Sequence, residues 1–196
     1  MLFYLILFHV FSFQDLGATT NQTLLNFDII LKGKIVGQLQ ASKSFKDSKM
    51  HYQSKTDIST RFIKEIHVNY KYHVVFSNNK LQESDVNVVV NNKPHAETKI
   101  EREQNHYLVK QEKKEARVFK EAINYSTILL YFEEPKNIKH CFSEEEGKMN
   151  TIVPLGNHTY KKVNARGNES IYYYENGKLI KAEIDGGLIK FQIQAK

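Results

Sequence analysis

The residues that could do chemistry in this chain are few and scattered. His140-Cys141 is its one thiol–imidazole neighbour pair, His67 and His73 lie six residues apart, and Glu133-Glu134 and Glu144-Glu145-Glu146 supply adjacent carboxylates. A nucleophilic thiol needs a base within hydrogen-bond reach. Neighbouring residues point to opposite faces of a strand, or ~100° apart around a helix, so His140 is badly placed to serve Cys141. Cys141 therefore reads as a small buried hydrophobe. Six residues of strand span ~20 Å, whereas two ligands of one zinc ion each sit ~2 Å from the metal. His67 and His73 thus read as solvated residues of one strand face. Catalytic carboxylate pairs face each other across a cleft, and the glutamate runs here read as loop or rim. No Gly-x-Ser-x-Gly elbow, phosphate loop or His-Glu-x-x-His occurs. A hydrolase or isomerase would need His67, His73, His140 or Glu133 to meet another polar group in a pocket. No enzyme, metal or cofactor is expected.

Aromatic residues make the more suggestive set. Tyr70, Tyr72, Phe76, Tyr131, Phe132, Tyr172, Tyr173 and Tyr174 recur in strand-patterned segments and in one dense apolar run. The plain reading is an aromatic-rich β core, since aromatics dominate such interiors. The sharper reading is an apolar concavity in a curved sheet, lined by Tyr70, Tyr72, Tyr131, Phe132, Tyr172 and Tyr174. Its ligand would be a lipid-like or other hydrophobic small molecule.

The elements that must position these residues are strands. From Ile66 to Phe76, Ile66, Val68, Tyr70, Tyr72, Val74 and Phe76 alternate with polar neighbours, which predicts a long strand with one wet face. Phe27–Lys32 and Ile35–Phe45 read as a hairpin around Gly33-Lys34, and Gly37 marks a bulge or a close backbone approach. Asn78-Asn79, Asn91-Asn92 and Asn176-Gly177 are hairpin turns. Pro94 opens a polar strand expected near an edge, and His106–Gln111 follows. Beyond Gly147, strands are predicted at 149–155, 158–164, 170–175, 178–185 and 188–195, the last with Ile189, Phe191, Ile193 and Ala195 inward. Phe119, Ala122, Ile123 and Ser126 are helix-spaced, so one short helix is placed around residues 117–133, ended by Pro135. The fold class is mainly β: a curved antiparallel meander, half-barrel or open barrel, in a single domain from 21 to 196.

Composition sets the surroundings. Leu2–Phe13 is an apolar run interrupted only by His9 and Ser12. It is shorter than the ~20 residues a bilayer span requires and matches the core of a secretory signal, so residues 1–20 read as a signal peptide. Its first residues carry no Lys or Arg, a departure from the usual basic start. The expected location is periplasmic or secreted, with no transmembrane anchor in the mature chain. A single cysteine excludes an intramolecular disulfide. The net charge is +6 and the leader's one charged side chain is Asp15, so the rest is close to +7. Basic residues are dispersed among Glu and show no stripe, which argues against nucleic acid. Asn21, Asn124, Asn157 and Asn168 each begin an Asn-x-Ser/Thr triplet, a mild excess without consequence by itself.

Several segments are familiar in combination. Phe27-Asp28-Ile29 with Gly33-Lys34 and Val36-Gly37, then Leu129-Leu130-Tyr131-Phe132-Glu133-Glu134-Pro135, then Phe142-Ser143-Glu144, Gly147-Lys148 and Tyr172-Tyr173-Tyr174-Glu175-Asn176-Gly177 occur in this order. Together they resemble a domain-of-unknown-function family of secreted bacterial proteins. The resemblance spans nearly the whole mature chain and implies an exported, one-domain β protein without catalytic residues. By looser analogy the expected fold is similar to the half-barrel of bacterial lipoprotein carriers, a curved sheet with helix in its concavity. It implies binding of a hydrophobic molecule or an envelope protein. A structural or protein-interaction module with a filled core is the alternative.

Overall fold

The computed structural model describes residues 21–60, 66–186 and 190–196. The leader at 1–20, and residues 187–189 with the inward assignment of Ile189, lie outside the described residues. Alternating side chains fold the chain into strands β1 (Gln22–Leu31), β2 (Lys34–Lys46), β3 (Lys49–Thr60), β4 (Ile66–Ser77), β5 (Lys80–Val90), β6 (Lys93–Glu103) and β7 (His106–Gln111). They continue as β8 (Arg117–Phe119), β9 (His140–Ser143), β10 (Lys148–Gly156), β11 (Thr159–Val163), β12 (Glu169–Glu175), β13 (Lys178–Asp185) and β14 (Lys190–Ala195). All fourteen belong to one sheet in the order β8-β7-β6-β5-β4-β3-β2-β1-β14-β13-β12-β11-β10-β9. The two halves join where β1 pairs antiparallel with β14, Phe27 opposite Ala195 and Ile30 opposite Gln192.

Local chemistry explains the hairpins. Asn78, Asn79, Asn91, Asn92, Asn176 and Gly177 all take positive φ, between 49° and 76°. Asparagine and glycine tolerate that region, which the tight hairpin turn demands at both central positions. Along β4 the inward row is as expected: Val68, Val74 and Phe76 are buried, and Tyr70 and Tyr72 pack against the same core. Val75 is buried too, but it lies opposite His51 on the other face of the strand and outside the core cluster. Fully buried Phe27, Ile29, Ile58, Leu81, Ile100 and Ile193 complete this interior, each contributing roughly 1.5–3 kcal/mol by leaving water.

Three features depart from the sequence reading. Strand β3 was not anticipated, because two of its inward residues are Ser54 and Thr56 and the apolar alternation is lost there. Pro94 does not mark an edge: β6 lies between β5 and β7. The proline is accommodated where the register shifts between Val88 and Val89, a bulge that leaves no ladder bond for it to donate. The helix is a single 3-10 turn, Thr127–Tyr131, while Arg117–Phe119 is the edge strand β8. Phe119 there packs on Phe142 and Tyr107, with ring centroids 5.2 and 6.4 Å apart.

The 3-10 turn fills the concavity. Its Ile128, Leu129 and Leu130 are buried, and it touches β3, β9 and β13, strands far apart in the sheet order. Tyr174 donates to the Leu130 carbonyl at 2.7 Å, and the Phe27 and Tyr131 rings lie 6.0 Å apart. Edges β8 and β9 are not paired to each other among the described residues. The loop between β9 and β10 spans that seam instead. Thr98 and Gln111 donate to the Glu145 carbonyl at 2.8 and 3.2 Å, and Arg117 donates to the carbonyls of Glu146 and Gly147.

Candidate binding site

The curvature brings Tyr70 and Tyr72 of β4, Tyr131 of the 3-10 turn and Tyr172 of β12 around one interior cavity of about 110 Å³, with Leu39, Ile184, Phe191 and Ile193. Four of the six aromatic residues singled out from sequence therefore meet. The other two do not. Phe132 stacks near Tyr52 at 5.4 Å and lies under the Lys43 ammonium, 5.8 Å from the ring centre. Tyr174 is spent on the Leu130 carbonyl and on an edge-to-face contact with Tyr160. Inward alternation identified which residues enter the core, but their convergence depends on strands far apart in sequence.

The cavity is not purely apolar. Glu145 and Lys162 reach its wall, and the Tyr72 hydroxyl donates to Glu145 Oε2 at 3.1 Å. Burial pushes the Tyr70 phenol up to about 12 with help from the Glu145 charge, and moves Tyr72, Tyr131 and Tyr172 the same way. All four hydroxyls keep their protons near neutral pH and act as donors rather than bases. Burial also raises the Glu145 pKa, opposed by the Tyr72 hydrogen bond and the Lys162 charge.

That shift has a testable sign. A carboxyl whose folded pKa lies above the ordinary 4.5 binds its proton more tightly in the folded state. Its contribution is therefore full below about pH 4.5 and is lost as pH rises through the raised value. Glu145→Gln keeps an acceptor for Tyr72 and removes the buried charge. Urea midpoints of the two proteins should be close in acid, and the variant should be the more stable one by about pH 8. A wild type that gains on the variant as pH rises would show that the carboxylate is stabilised where it lies.

Glu144 corrects the expectation that its run is rim. It is fully buried, and its Oε2 and Oε1 accept the backbone N–H groups of Thr127 and Ile128, each at 3.1 Å. The carboxylate thus holds the start of the 3-10 turn, which bears Tyr131. Sequence offered no sign of this beyond the presence of an acid, because the donors lie 16 and 17 residues away.

The other chemistry-bearing residues are dispersed. Cys141 is buried and its thiol is pushed up to about 12 by burial, while His140 beside it is exposed. The His73 ring sits 6.0 Å from that of His51 on the outer face, and His67 lies near the far end of β4. Glu133 accepts from Tyr52 at 3.5 Å, and Glu134 accepts from Tyr160 at 2.8 Å and pairs with His158 at 2.8 Å. Among the described residues, no three His, Cys, Asp or Glu side chains gather closely enough to hold a metal ion.

A second cavity, of about 310 Å³, adjoins the first and shares Glu145, Lys162, Ser170, Asp185 and Gly186 with it. Its lining is polar and includes Asn150, Asn164 and Asn168.

An open, strongly curved antiparallel sheet around a filled interior places the chain among β-barrel-like proteins. One similar solved structure is the crystal structure of a beta-barrel-like protein of domain of unknown function DUF1849 from Brucella abortus, with a TM-score of 0.51 over 88% of this chain and 94% of that one. At 11% identity the likeness concerns the fold alone. Residues 27–196 match the model of the domain of unknown function DUF6134, and the chain belongs to that family. No curated protein matches the sequence.

Proposed function

We propose that this is an exported, non-enzymatic binding domain that seats the apolar end of a small amphipathic molecule among Tyr70, Tyr72, Tyr131 and Tyr172. The observation that carries the reading is the meeting of these four rings around one cavity that adjoins a polar one. Its size sets the ligand. About 110 Å³ is less than the ~150 Å³ of an apolar cavity that admits benzene. A short alkyl group fits and a long acyl chain does not. Burying four methylene-sized groups contributes about 3 kcal/mol, so an alkyl group alone binds weakly and a polar head must supply the rest.

The test uses n-butanol as probe. Protein-detected NMR should show saturable shifts at the four tyrosines, and Ile184→Phe, which fills the cavity, should abolish them while the fold is retained. Absent shifts, or equal shifts in both proteins, would reject the reading. One observation favours the alternative of an interaction module: Phe142, Ile128 and Leu130 are fully buried in the core. In that case crosslinking in the cell envelope yields a protein partner and the probe leaves the tyrosines unmoved.

A further inference from the structure

The polar cavity holds an unusual side chain. Asn150 of β10 points inward beside Cys141 of β9 and is only 2% exposed, yet neither its Nδ2 nor its Oδ1 has a hydrogen-bond partner. Glu146 on the same wall is half satisfied: Oε1 accepts from Asn164 at 3.2 Å, while its buried Oε2 has no hydrogen-bond partner. Buried amides without partners are rare in folded proteins, because such a group loses its hydrogen bonds to water and gains nothing. One donor and two acceptors without partners thus belong to residues that line a single cavity of about 310 Å³.

We propose that this cavity binds a neutral, hydroxyl-rich ligand of monosaccharide size, with Asn150 and Glu146 as its hydrogen-bonding partners. A hydroxyl group both donates and accepts. It can answer Asn150 Nδ2 with a lone pair and Asn150 Oδ1 or Glu146 Oε2 with a proton. An ammonium answers only the acceptors and a carboxylate only the donor. The walls carry both signs, Glu145, Glu146 and Asp185 against Lys162 and Arg166, so an anion finds no net attraction there, and a cation would leave the Asn150 Nδ2 donor unanswered. The volume lies at the lower end of the range for small-molecule pockets, enough for one sugar ring. The tyrosine cavity borders it across five shared residues, so the same hydroxyl-rich group can arrive as a free sugar or as the head of an alkyl glycoside. The assignment deepens the binding reading above without depending on the inner cavity being filled.

Calorimetry with methyl glucoside, N-acetylglucosamine and myo-inositol, at concentrations up to millimolar, tests it on the whole domain. At least one should bind, and Asn150→Leu should weaken that binding roughly tenfold, the worth of one or two hydrogen bonds. The melting temperature should not fall, since the variant removes an unpaired amide. If the leucine variant does not fold, Asn150→Ser carries the same comparison. Butyl glucoside binding more tightly than methyl glucoside means that the alkyl tail enters the tyrosine cavity. Equal binding of the two supports the polar site and counts against the inner one. The proposal is overturned if no polyol binds, if Asn150→Leu binds as well as wild type, or if butylammonium binds more tightly than every polyol.

Discussion

Gly37→Ala should cost about 3 kcal/mol of stability, the upper part of the range for overpacking, and lower the melting temperature by roughly 10 °C. Gly37 sits in β2 between Ile29 of β1 and Ile58 of β3, in the middle of the sheet. A methyl group there would lie 1.9 Å from the Asp57 carbonyl oxygen and 3.0 Å from the Ile58 Cα. Both contacts are backbone, so neither can rotate away. The register of β1 against β2 also shifts between Ile29 and Ile30, opposite Gly37 and Ile35. Gly33→Ala is the control. Its φ is +75° but nothing lies within 4 Å of the added atom, so it should cost only about 1 kcal/mol. Urea unfolding of both proteins decides: similar losses would mean that β2 and β3 do not approach as described.

Glu144→Ala should be comparably damaging, at about 4 kcal/mol. Two buried N–H groups, of Thr127 and Ile128, lose their acceptor, and each unpaired donor costs ~1–3 kcal/mol. Glu144→Gln keeps one acceptor oxygen and turns an amide N–H₂ towards the second donor, so about half that loss is expected. The effect should also reach the cavity, because Tyr131 ends the turn that Glu144 starts. Loss of the butanol response in Glu144→Gln, with the sheet still folded by circular dichroism, would show the carboxylate acting as a positioning residue. An alanine variant as stable as wild type would mean that Ile128, Leu129 and Leu130 hold the turn unaided.

These two residues mark how far the sequence could be read. Gly37 stood out because glycine inside an apolar alternation requires a steric reason, and the structure supplies one. Tyr70 and Tyr72 were legible from period two alone, and Asn78-Asn79, Asn91-Asn92 and Asn176-Gly177 from their tolerance of positive φ. Such signals are local, each carried by a few adjacent residues. Strand β3 escaped because its inward Ser54 and Thr56 erase the pattern. Residues 117–126 misled because Phe119, Ala122 and Ile123 are helix-spaced, yet the chain there stays extended. Ile123 bonds to the β5 backbone at Leu81, and Tyr125 to that of Phe142. The roles of Glu144 and Asn150 could not be read at all, since each depends on groups that only the curved sheet brings near.

Native mass spectrometry of the domain purified from the cells that make it tests the central claim most directly. The account predicts a species heavier than the polypeptide by one small molecule, present in the wild type and absent from Ile184→Phe or Asn150→Leu. The bare polypeptide mass alone, unchanged after incubation with butyl glucoside, would contradict it.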